Sequence, residues 1–221
     1  MKLGRLIQFA LVAAAVLIMA ASASATTIQW TTNGVATGFT SAPAGYTITD
    51  GGLELLDAAA GVELLFTPNA SPVGGNAVPS NVDFGDFLLI CTGCATGGTA
   101  FGSFTFSLEI TDVTDSATGV FTGTSTAGSV TPTSATMDVN WSPTQVGPGT
   151  TNATGGTNFS TTFFTVPNMT LIVAPNSGTP PGDTSIQGTV SSTLVPEPAT
   201  MAMVGGLFVG LAALARKRRR S

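Results

Sequence analysis

Two cysteines and two pairs of aspartates are the residues whose type and spacing could carry chemistry. The cysteines stand as Cys91-Thr92-Gly93-Cys94 and are the only two in the chain. A Cys-x-x-Cys pair serves as a redox dithiol when its first thiol caps a helix, because the helix dipole lowers that thiol's pKa. The residues that follow, Ala95-Thr96-Gly97-Gly98, do not read as a helix. A tight disulfide between Cys91 and Cys94 that pins a strand end is therefore favoured over redox work. Zinc would need further Cys or His ligands, and the chain has none.

The acidic pairs are Asp83 with Asp86 and Asp112 with Asp115. Two carboxylates facing each other across a cleft can divide acid and base work on a glycosidic bond, and loop carboxylates can ligate calcium through oxygen. No Asp-x-Asp-x-Asp-Gly run is present, and neither spacing implies a cleft. The simpler reading is solvated turn residues that keep a weakly charged surface soluble. No catalytic residue, metal ligand or cofactor is assigned on this basis.

The charge pattern excludes more than these pairs suggest. The chain has 221 residues, seven Lys and Arg, twelve Asp and Glu, no His and a net charge of −5. Lys2 and Arg5 lie at one end and Arg216, Lys217, Arg218, Arg219 and Arg220 at the other, with no basic residue between Arg5 and Arg216. All the acids fall inside that interval, so the central domain is purely acidic. Nucleic-acid binding needs cations to neutralise phosphate. Histidine triads, Schiff-base lysines, arginine clamps and His-ligated metals lack their essential group. What remains open to this domain is carboxylate chemistry or no chemistry.

The elements that must position these residues read as strands. Phe104-Thr105-Phe106-Ser107-Leu108-Glu109-Ile110-Thr111 alternates apolar with polar, the period of a half-buried strand. Met137 to Trp141 repeats the pattern, and Ile28 to Trp30, Tyr46 to Ile48 and Val120 to Thr122 do so more loosely. Val62 to Phe66, Phe84 to Ile90 and Phe163 to Val166 read as strands covered more fully, and Met169 to Val173 and Ser185 to Val190 complete about ten strands. Gly, Pro and Asn turns such as Asp50-Gly51-Gly52, Gly74-Gly75-Asn76 and Pro180-Pro181-Gly182 separate them. Leu53 to Ala60 fits a short helix or a strand equally well, and Ser142 to Thr157 reads as a long exposed loop. The predicted fold class is all-β, an antiparallel β-sandwich or jelly-roll-like domain over residues 26–194.

Both ends stand apart from that domain. Lys2 and Arg5 precede the apolar run Leu6 to Ala20, and Ala23-Ser24-Ala25 is a small-x-small cleavage site. Residues 1–25 therefore read as a signal peptide, with signal peptidase and the secretion machinery as partners and cleavage specified by Ala23 and Ala25. At the other end Val195-Pro196-Glu197-Pro198 precedes the apolar stretch Ala199 to Ala215 and the basic cluster Arg216 to Arg220. Seventeen helical residues rise about 25 Å, the short limit for a bilayer core of about 30 Å. The basic stems can snorkel to cover the difference and hold the C-terminus inside. Pro196 and Pro198 favour extended backbone, which presents Glu197 as a protease would bind it.

This tail resembles a PEP-CTERM sorting signal in its tripeptide Pro196-Glu197-Pro198, its hydrophobic segment containing Gly205-Gly206 and its terminal arginine cluster. The resemblance covers residues 195–221 only. It implies an exosortase-type membrane protease as partner, with Pro196, Glu197 and Pro198 as the recognition motif and Arg216 to Arg220 as the retention cluster. It also implies export by a Gram-negative bacterium that makes exopolysaccharide. The same tail is elsewhere labelled an ice-binding-protein C-terminal domain, a name without bearing on the domain that precedes it. The leading expectation is a non-enzymatic surface or matrix protein, anchored by its tail until processed and associated with polysaccharide. A carboxylate-based carbohydrate-active enzyme and a calcium- or ligand-binding adhesion module are the alternatives.

Overall fold

The computed structural model describes residues 27–70, 72–132, 135–149, 159–173 and 183–192, together with Gly206. Thr27–Ser192 forms one compact unit. Its strands are β1 (Thr27–Thr31), β2 (Gly38–Ser41), β3 (Thr47–Thr49), β4 (Glu54–Asp57), β5 (Val62–Pro68), β6 (Val73–Ala77), β7 (Ser80–Cys91) and β8 (Thr99–Phe101). They continue with β9 (Thr105–Asp112), β10 (Ala117–Ser125), β11 (Gly128–Val130), β12 (Ala135–Ser142), β13 (Gln145–Val146), β14 (Thr162–Thr165), β15 (Met169–Val173) and β16 (Asp183–Ser192). Within Leu53 to Ala60, Glu54–Asp57 forms strand β4, entered through a single 3-10 turn at Asp50–Gly52, and residues 58–60 turn toward β5.

The strands form two antiparallel sheets. The first runs β6-β1-β9-β10-β12-β11-β8, with β2 also paired to β9 and β15 to β12. The second runs β13-β14-β16-β7-β5-β4-β3. Phenylalanine rings fill the space between them. Phe106 of β9 reaches across to Phe66 of β5 and Phe87 of β7, at centroid distances of 4.7 and 5.0 Å. Trp30 of β1 meets Phe84 of β7 edge-on at 5.0 Å. Such tilted and edge-to-face pairs add about 0.5–1.5 kcal/mol each beyond the area they bury. The architecture is sandwich-like, with an aromatic core.

Sequence period sets which face each strand buries. In β9 the residues Phe106, Leu108, Ile110 and Asp112 are buried while the residues between them are partly exposed. In β12, Met137, Val139 and Trp141 point inward and Asp138 and Asn140 outward. β7 breaks the period. Its ladder with β16 pairs Asp83 with Gln187 and Asp86 with Ser185, so Phe84 and Gly85 together oppose Ile186. That extra residue is a β-bulge, and it moves the inward set from Val82 and Phe84 to Phe87 and Leu89. Gly85 sits there at φ 123°, and a Cβ on it would lie 2.6 Å from both the Phe66 Cζ and the Thr67 carbonyl oxygen.

Two expectations change. Within Ser142 to Thr157, residues 145–146 form strand β13, which pairs with β14, and Val146 is fully buried. A single apolar residue there carries the packing that the composition of the stretch concealed. Ile48 is not buried with Tyr46: it is exposed, because β3 is the edge of its sheet.

Candidate functional site

The bulge decides where the first acidic pair goes. Residues three apart on a regular strand face opposite sides. The extra residue between Asp83 and Asp86 turns both onto the outer face of the second sheet, and Asp183 at the start of β16 joins them electrostatically. The Asp83 carboxyl is held above the usual carboxylate range, first by desolvation and then by its like-charged neighbours Asp86 and Asp183. Hydrogen bonds from the Gly85 N–H, at 2.9 Å, and from Ser185 pull the other way. The Ser185 hydroxyl also donates to Asp86 at 2.6 Å. Bulge, cap and acid pair are thus one device, in which Asp83 ties down the amide of the residue that makes the bulge.

The second pair is a turn, and one member is not solvated as the sequence suggested. Asp112 ends β9 fully buried, and its Oδ1 accepts from the amides of Thr114, at 2.8 Å, and Asp115, at 3.2 Å. Those bonds close the loop that returns the chain to β10, where Ala117 pairs with Asp112. The Asp112 Oδ2 is buried without a partner among the described residues, as is the indole nitrogen of Trp30, the residue opposite Asp112 across β1. Asp115 is spent differently, accepting from both the amide and the hydroxyl of Ser160, the latter at 2.6 Å.

Other carboxylates follow suit. Asp57 accepts from the amides of Ala59 and Ala60 in the β4–β5 turn, both at 3.0 Å. Glu109 accepts from the Ala36 amide at 2.7 Å. Glu63 is raised above its ordinary value by desolvation and then by Glu54. Tyr46 is pushed up to about 12 by burial and by Asp57. Among the described residues no group of three or more His, Cys, Asp or Glu is placed to hold a metal ion.

Cys91 ends β7 and is bonded through its sulfur to Cys94, with Cα atoms 5.7 Å apart. The short loop they close docks on the β4–β5 turn through the Thr92 amide, which donates to the Gly61 carbonyl at 2.8 Å. Both cysteines are partly buried and pack against the core. The disulfide lies at a strand end with bends and turns after it, without the helix that would activate a thiol.

No family model, curated protein or solved structure matches this chain. The remaining sequence-derived site residues, Ala23 and Ala25, Pro196, Glu197 and Pro198, and Arg216 to Arg220, lie outside the described residues. Among the described residues no helix is long and apolar enough to cross a membrane. The roles of Asp57, Asp112 and Glu109 as ties between strands were not singled out from sequence. An Asp just before a turn is the one local signal that could have found two of them.

Proposed function

We propose that this protein is an exported structural component of a bacterial cell surface or extracellular matrix, built on a β-sandwich domain and associated with polysaccharide. A signal peptide ending at Ala25 directs export, and the tail from Val195 anchors the chain until an exosortase-type protease acts at Pro196-Glu197-Pro198. The arrangement of the domain's carboxylates is the observation that carries the structural reading. Asp57, Asp83, Glu109, Asp112 and Asp115 each accept from backbone amides that close a turn, shape a bulge or join separate segments. Acids employed in this way serve rigidity, and the stretch between Arg5 and Arg216 has no Lys, Arg or His to work beside its carboxylates.

Mass spectrometry of the protein from envelope and medium tests the reading. The mature product should begin near Thr26 and lack Arg216 to Arg220, and Glu197→Ala should leave the tail attached. A mature pool that retains the intact C-terminus would overturn it.

A further inference from the structure

We propose that Asn140 carries an N-linked glycan. It is the acceptor of Asn140-Trp141-Ser142, an Asn-x-Ser sequence of the kind that oligosaccharyltransferases modify in exported proteins. The strand makes this sequence distinctive. Because β12 has a two-residue period, Asp138, Asn140 and Ser142 all stand exposed on the outer face of the first sheet, while Val139 and Trp141 are buried beneath them. In the finished sheet the acidic group, the acceptor amide and the hydroxyl thus lie in one line, about 7 Å apart from one to the next, on a face open to solvent where a glycan can be carried. The residue opposite Asn140 on β10 is Thr124, also exposed, so a sugar there meets hydroxyl groups rather than a packed side chain.

Two other Asn-x-Ser/Thr sequences are less able to carry a glycan in the folded domain. The Asn69 Nδ2 already donates to the Asp83 carbonyl at 2.7 Å. The Asn168 Oδ1 is tied to the Trp141 amide at 2.8 Å. Asn152 and Asn158 lie outside the described residues. Among the described residues no hydrogen bond engages the Asn140 carboxamide.

The reaction is a group transfer from a polyprenyl-diphosphate-linked oligosaccharide. The Asn140 Nδ2 attacks the anomeric carbon, a C–N bond forms, the C–O bond to phosphate breaks, one Nδ2 proton passes to a base of the transferase, and the polyprenyl diphosphate leaves. β12 is hydrogen-bonded on both edges, to β10 and to β15. Transfer therefore precedes folding, while the chain emerges from the export channel, and the finished sheet then carries the glycan without rearrangement.

The inference rests on the export reading, and one experiment separates the two. The protein is purified from the cells that make it and cleaved with an Asp-specific protease, since the domain offers trypsin no Lys or Arg. The peptide that begins at Asp138 and ends before Asp183 should gain the mass of an oligosaccharide, located by fragmentation on Asn140. Asn140→Gln and Ser142→Ala should remove the increment, and Ser142→Thr should keep it. Melting curves matching the parent show that the variants fold. A bare Asn140, or an increment that survives Asn140→Gln, in a product whose N-terminus is Thr26 refutes the glycan and leaves export standing. A product still beginning at Met1 refutes the export reading.

Discussion

Replacing Gly85 by alanine tests the claim that the β7 bulge is held by backbone geometry and core packing together. A residue with a Cβ at φ 123° occupies a region that L-amino acids avoid, at a cost of about 1–3 kcal/mol. The new methyl group would also sit 2.6 Å from the Thr67 carbonyl, which is backbone and cannot rotate away, and 2.6 Å from Phe66 Cζ. Phe66 has no room to retreat, because its ring packs on Phe87 at 5.1 Å and on Phe106 at 4.7 Å. Overpacking of that kind costs about 1–3 kcal/mol more. The combined loss is about 4 kcal/mol, a large part of the 5–15 kcal/mol by which a domain is stable. At about 2–4 °C per kcal/mol for this size, the melting temperature should fall by about 8–16 °C. Chemical denaturation followed by the fluorescence of buried Trp30 and Trp141 reads the change directly. Gly51→Ala is the control, since Gly51 has φ 64° with nothing within 4 Å of its would-be Cβ, and only the backbone part of about 1 kcal/mol applies. If Gly85→Ala costs no more than Gly51→Ala, the packing half of the argument is wrong.

Four further outcomes follow from the same geometry. Phe106→Ala should cost about 3–5 kcal/mol in the same denaturation assay, because the ring is fully buried between both sheets. The carboxyls of Asp83 and Glu63 are raised in the folded state, so folding takes up protons and stability should rise as pH falls from neutral into the raised carboxylate range. Asp183→Asn and added salt should each raise the melting temperature at pH 7, and a fall in either would contradict the mutual repulsion of Asp83, Asp86 and Asp183. The double replacement of Cys91 and Cys94 by serine should cost about 2 kcal/mol, since so short a closed loop restricts the unfolded chain only modestly.

Much of the fold could be read from residue patterns, and the misses share a cause. β9 and β12 announce themselves because one face is wet and the other dry, so each side chain's polarity reports its direction. β7 is harder. Phe84-Gly85-Asp86-Phe87 carries two inward phenylalanines out of phase, and only the ladder with β16 shows that Gly85 absorbs the slip. β13 is two residues long and rests on Val146 alone, too little for any periodic signal. Asp112 looks like a surface acid because its burial is imposed by Trp30 across the sheet and by the turn beyond it, neither of which is local. The acid pairs were visible as pairs, but their employment as amide acceptors depends on turn geometry that composition does not encode.

The position of β16 has a mechanical consequence. The last described strand of the domain is not an edge: β14 is bonded along one side of it and β7 along the other. A pull applied to the chain beyond Ser192 therefore cannot peel away a border strand one hydrogen bond at a time. It must break two ladders at once, one of them to the longest of the described strands. A domain tethered through that end would bear load through its middle.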